Sequence, residues 1–210
     1  MRVLGMSVIG LVSLFASSAR ADLPLVKEVH AAWNGCDYAL RVEEDVDPIP
    51  YPRPLYRISV RSTVVSADTC TLTPGTVELN TSKLEPKIAL AANDQGLAVA
   101  YSAGAYVRAT GPFMVTYLHR LNPATLATTR QEQVSVGWTS APGYAGGPGT
   151  ADPIRIALYP THLELKGVRD GNLLNLYPGS DYRFEEGTGF AVFYSDFFGV
   201  NRKQPIPYLY

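Results

Sequence analysis

The sequence predicts an all-β domain, a sandwich or an irregular antiparallel array of about eleven short strands. Three observations point that way. Apolar and polar residues alternate with a period of two over several stretches, the mark of a half-buried strand. Gly, Pro, Asn and Asp punctuate the chain at short intervals, as turns between strands require. No stretch sustains the 3.6-residue periodicity of an amphipathic helix.

Taken in order, residues 38–42 form the first expected strand, and residues 55–65 the longest, alternating for most of their length. Residues 76–79 repeat the alternation briefly. Residues 97–102 and 113–119 make a further pair. Then come 133–139, 154–159, 163–168, 173–177, 190–194 and 207–210. The clusters Asn93-Asp94-Gln95-Gly96, Arg169-Asp170-Gly171-Asn172 and Pro178-Gly179-Ser180-Asp181 supply turns. Helix signals are few. Asn122-Pro123 has the N-cap and first-position chemistry of a short helical turn running to Thr128, and residues 25–32 read as another turn of helix.

Two stretches read as loops on composition. Residues 46–54 carry Pro48, Pro50, Pro52 and Pro54 at alternate positions, which predicts an extended, polyproline-like segment kept out of any central strand. Residues 141–153 are rich in Gly and Pro and form the expected boundary between two half-domains.

The N-terminus reads as an export signal. Arg2 opens a positive segment, residues 3–16 are almost purely apolar, and Ala19-Arg20-Ala21 has the small-x-small pattern of a cleavage site. The expectation is a cleavable signal over 1–21 and a single β-rich domain over 22–210, periplasmic or extracellular. The apolar run is shorter than the roughly 18 residues that span a bilayer. No transmembrane segment is expected in the mature chain. An exported chain with two cysteines predicts one bridge, Cys36–Cys70, without the Cys-x-x-Cys spacing of a redox pair.

The chain has 210 residues, 46% hydrophobic and 18% charged, with a net charge of −1. That composition argues against disorder, and the balanced charge against nucleic acid as a partner. Gly96-Leu97-Ala98-Val99-Ala100-Tyr101-Ser102 is echoed by Gly189-Phe190-Ala191-Val192-Phe193-Tyr194-Ser195. Residues 88–122 resemble one blade of a bacterial propeller: strand, Asp-x-Gly turn, strand, short loop, strand. The resemblance implies propeller-like blades as the alternative architecture, although the Trp-Asp dipeptide of such blades is missing.

For chemistry, Ser102 in Ala100-Tyr101-Ser102-Ala103-Gly104 is a variant of the nucleophile elbow, with Asp152 and His162 in suitable chain order. The elbow needs a helix after the serine, and Thr110-Gly111-Pro112 opposes one. The acidic run Glu43-Glu44-Asp45 with Asp47 offers oxygen ligands to a calcium ion, or one carboxylate of a hydrolytic pair with Glu185 or Glu186. His30, His119 and His162 have no metal-ligand spacing, so neither a metal site nor a cofactor is expected. What remains is a bias toward tyrosine, 13 against 7 Phe and 2 Trp. Tyr51, Tyr144 and Tyr182 fall in expected loops, where an apolar face with a polar tip suits contact with a protein or carbohydrate surface. The sequence therefore reads as an exported, non-enzymatic binding or structural module that contacts its ligand through Tyr-bearing loops. The alternatives are a secreted hydrolase using Ser102 or paired carboxylates, and a subunit joined to a surface assembly through a strand edge.

Overall fold

A computed structural model describes residues 23–47, 53–107, 111–137, 149–170, 172–173, 189–200 and 205–209. These residues form strands and turns, with no helix. Four strands, β1 (Leu25–Trp33), β2 (Cys36–Asp47), β3 (Arg53–Val64) and β4 (Gly75–Ser82), make an antiparallel meander in chain order. A second sheet holds β5 (Ile88–Asn93), β6 (Gly96–Val107), β7 (Gly111–Leu121), β8 (Thr128–Val134), β10 (Thr150–Leu158), β11 (His162–Asp170), β13 (Gly189–Ser195) and β14 (Ile206–Leu209). Its order is β14-β13-β11-β10-β7-β6-β5, with β8 on the same edge of β7 as the single parallel bridge from β10. Two short strands, β9 (Val136–Gly137) and β12 (Asn172–Leu173), pair separately.

The architecture is an irregular sandwich and not a closed barrel. The strands β5, β6 and β7 form a shared middle layer. Along β6, Leu97, Val99 and Tyr101 point into a first core with Tyr38, Leu40, Val42, Ile58 and Val60 of the four-stranded sheet. Ala98 and Ala100 point the other way, into a second core with Leu163, Leu165, Phe190, Val192 and Tyr194. Burial on both faces explains why 97–103 is an almost unbroken apolar run, since alternation survives only where one face meets water. The second core exists because the large sheet rolls over, so that β10 packs back onto β5 and β6. The blade-like meander at 88–122 does form, as β5-β6-β7, but it is one stretch of a continuous sheet and not a separate blade.

Several local expectations need correction. Residues 25–32 form a strand, not a helical turn: β1 pairs with β2 from Leu25 to Trp33. The cause is the two-residue turn Asn34-Gly35, with φ of 49° and 70°. Two positive φ values give a type I′ turn, whose twist matches the paired strands. The Asn122 segment is one turn only. Its side-chain Oδ1 accepts hydrogen bonds from the Ala124 and Thr125 amides at 2.9 and 3.2 Å, as an N-cap does. Leu126 then takes a φ of 59° and the chain returns as β8. Pro54 lies in the central strand β3, opposite Val46, at its outer end. Thr150–Pro153, expected as loop, opens β10, with a bulge beyond Pro153 that suits a residue lacking an amide donor. The rest of the glycine-rich stretch, 141–148, and the expected signal at 1–21 lie outside the described residues.

The expected disulfide is present. Cys36 and Cys70 are bonded with Cα atoms 5.1 Å apart, and both are buried in the first core beside Leu72.

Candidate functional site

The hairpin β10–β11 builds the most distinctive surface. Its connection closes with a hydrogen bond from the Tyr159 amide to the His162 carbonyl at 2.9 Å. That closure sets the two rings face to face, 4.6 Å apart and 17° from parallel. His162 lies opposite Ser195, Glu164 opposite Phe193 and Lys166 opposite Ala191. On the next strand pair, Phe193 lies opposite Ile206 and Ala191 opposite Tyr208. All of these belong to one face, because Leu163, Leu165, Phe190, Val192 and Tyr194 occupy the alternate, inward positions.

Diagonal neighbours across a ladder stand within reach of aromatic side chains. The rings therefore continue outward from the turn: His162 to Phe193 at 5.5 Å, and Phe193 to Tyr208 edge-on at 5.2 Å. The ladder crosses β11, β13 and β14 obliquely and ends on an open rim, where Tyr208 is 58% and Ile206 51% exposed. Beside it, the small Ala191 leaves a groove of about 620 Å³ between Lys166 and Tyr208. Glu164 forms part of its wall and is buried to 7% exposure. Its carboxylate is held by Lys166 at 3.0 Å and approached by Arg155 at 3.7 Å. The face thus pairs exposed aromatic surface with a fixed acceptor and a donor.

The residues singled out from sequence fall elsewhere. Ser102 is fully buried in mid-strand, where its Oγ accepts a hydrogen bond from the Lys87 amide at 2.9 Å, and β6 continues past it with no helix. His162 sits on the outer face of β11, bonded to Thr161, so the two are not brought together. Strand alternation splits the acidic run. Glu43 pairs with Arg41 at 3.1 Å and Asp45 with Arg57 at 2.8 Å, within an ion-pair lattice on the outer face of the four-stranded sheet. Glu28 and Asp37 belong to the same lattice and flank His30; the Asp37 hydrogen bond is the main cause of that imidazole's raised pKa. Among the described residues no cluster of His, Cys, Asp or Glu is arranged to hold a metal ion. No helix among them is long and apolar enough to cross a membrane. Tyr51, Tyr144, Tyr182, Glu185 and Glu186 lie outside the described residues.

Two signals for the groove stood in the sequence. One is Phe193, which replaces Ala100 in the Gly96–Ser102 echo and so places a large ring at an outward position. The other is Tyr159-Pro160-Thr161-His162, a tight turn bracketed by two flat rings.

Against protein-family models, curated proteins and solved structures, the chain shows no match.

Proposed function

We propose that the chain is an exported binding module that takes its ligand on the outer face of β10, β11, β13 and β14. The observation that carries this reading is the ring ladder Tyr159–His162–Phe193–Tyr208 beside a groove walled by Glu164 and Lys166. Rings held on paired strands lose little conformational freedom on binding, so more of the contact energy appears as affinity. Aromatic surface left in water on a rigid sheet, next to a few fixed polar groups, is the usual make-up of a recognition face. Export rests on the N-terminal signal pattern and is in keeping with the disulfide. Tyr51, Tyr144 and Tyr182 extend this reading as loop-borne contacts.

Binding is favoured over hydrolysis by the groove's chemistry. Among the described residues its lining supplies a single carboxylate, already committed to Lys166. Glycoside hydrolysis through paired carboxylates requires two. His162 and Ser195 share the face, but His162 is bonded to Thr161, stacked on Tyr159 and tilted against Phe193.

The test is cosedimentation of the purified mature chain with washed envelope material from the producing cells. The intact chain should pellet with that material, and a Phe193→Ala/Tyr208→Ala variant with an unchanged melting curve should stay in solution. Equal pelleting of both would move the contact away from this face.

A further inference from the structure

Resting on that reading, we infer that the groove's ligand is an uncharged glycan, its pyranose rings stacked on Tyr208 and Phe193 and its hydroxyls held by Glu164 and Lys166. A pyranose has an apolar face of C–H groups and a rim of hydroxyls that both donate and accept. The groove offers the complement of each. The ring ladder is exposed at its two ends, Tyr159 at 41% and Tyr208 at 58%, with half-buried His162 and Phe193 between them. Tyr208 thus presents apolar ring surface at the rim, beside the Phe193 ring it meets edge-on. The Glu164 carboxylate and the Lys166 ammonium, 3.0 Å apart, place an acceptor and a donor side by side where neighbouring hydroxyls can bridge them.

Charge narrows the class. Within the groove's lining the Glu164 carboxylate and Lys166 compensate each other, and Arg155 approaches the same carboxylate at 3.7 Å from outside that lining. A charged ligand would have to compete with that ion pair, whereas a neutral polyol adds hydrogen bonds without breaking it. Burial makes this decisive for Glu164, because a carboxylate so enclosed is costly to leave without its cation.

The strand next to the groove argues against an extended peptide. Added strands bind through main-chain hydrogen bonds at an open sheet edge. Among the described residues β14 pairs with β13 alone, so its far edge is the edge in question. Pro207, paired with Val192, sits in the middle of that strand. A proline is tolerated in a strand where its nitrogen faces out of the ladder, and there it removes the donor that an added strand would need. The edge is blunted while the face beside it stays open.

The test is NMR titration of the full mature chain with four neutral hexasaccharides: β-1,4-linked glucose, β-1,4-linked N-acetylglucosamine, β-1,4-linked mannose and α-1,4-linked glucose. At least one should shift the His162, Phe193 and Tyr208 ring signals saturably. Tyr208→Ala should weaken that binding about tenfold, as loss of an aromatic anchor does. Tyr208 is exposed, so the variant keeps its fold. Tyr106→Ala, a replacement of another exposed tyrosine at 67% exposure, should leave the affinity unchanged. Absence of saturable shifts with all four sugars, or shifts confined to residues away from the groove, overturns the glycan assignment. The reading of this face as the contact surface is tested separately: it falls if the intact and Phe193→Ala/Tyr208→Ala chains cosediment equally, whatever the sugars show.

Discussion

The hydroxyl of Tyr101 lies 2.9 Å from Nε2 of His119, inside the first core and stacked on Tyr117. His119 Nδ1 is 3.2 Å from Thr128 Oγ1, so both ring nitrogens have neutral partners and no carboxylate compensates a proton. Burial alone pushes the imidazole down to about 4 from 6.5. In the unfolded chain it takes up a proton near 6.5, and in the folded chain only near 4. Between those values the unfolded state binds more protons, so stability falls as pH falls through that window. The full effect is up to roughly 3 kcal/mol. Denaturant unfolding across the window should show this slope, and His119→Gln should flatten it. His30 acts with the opposite sign. Its raised pKa favours the folded state below the unfolded value and ceases to as pH rises through the folded one. With a half-exposed side chain, that contribution is screened by solvent and small.

The same substitution should give opposite results at the two tyrosines of the echoed motif. Tyr101 and Tyr194 are both fully buried. Tyr101→Phe removes the partner of His119 Nε2 and leaves a buried polar atom unpaired, at a cost of about 1–2 kcal/mol. The Tyr194 hydroxyl has no hydrogen-bond partner among the described residues. Tyr194→Phe should therefore be neutral or stabilising, since the folded state no longer buries an unpaired hydroxyl. Urea midpoints of the two variants separate the cases.

The echo also shows what the sequence could and could not convey. Leu97, Val99 and Tyr101 match Phe190, Val192 and Tyr194 position for position, and in both strands these three are fully buried on one shared face. Alternation reveals which residues share a face. It does not reveal which layer covers that face, and the two triads enter different cores. The groove was hidden for the same reason. Its residues come from β11, β13 and β14, and their meeting depends on cross-strand register, which no local pattern encodes. Most strands were legible because they alternate or sit between turns. β1 is not legible from its own pattern, because its polar-apolar stretch marks the first arm of a hairpin only together with the Asn34-Gly35 turn that follows it.

Breaking the disulfide should weaken the fold without changing its topology. Cys36 starts β2, and Cys70 lies in the connection between β3 and β4, 34 residues on. Closing a loop of that length stabilises by about 3–4 kcal/mol in the chain-entropy model. The bridge also holds Leu72, only 8% exposed, against the first core. A Cys36→Ala/Cys70→Ala variant should unfold at lower denaturant concentration while keeping its far-ultraviolet β signature. An unchanged midpoint would mean that Leu72 and its neighbours hold that connection without the bridge.

Gly35 should be the least replaceable residue of the first sheet. Its φ of 70° lies in the left-handed region, where a side chain is strained. An added Cβ would also run into the Thr69 hydroxyl and the Ser66 carbonyl, the latter at 2.9 Å. The Ser66 contact is with backbone that the Gly35 carbonyl itself anchors, by accepting hydrogen bonds from the Val65 and Ser66 amides at 2.9 Å. The clash cannot be relieved by a side-chain rotation alone, so it would displace the connection that carries Cys70. Gly35→Ala should therefore cost more than the roughly 1 kcal/mol of a left-handed alanine. Asn34→Ala has only the φ penalty of its own position to meet. A urea series on the two variants should place Gly35→Ala clearly below Asn34→Ala, and the gap should persist in the reduced protein because the clash is with Thr69 and Ser66 and not with the disulfide.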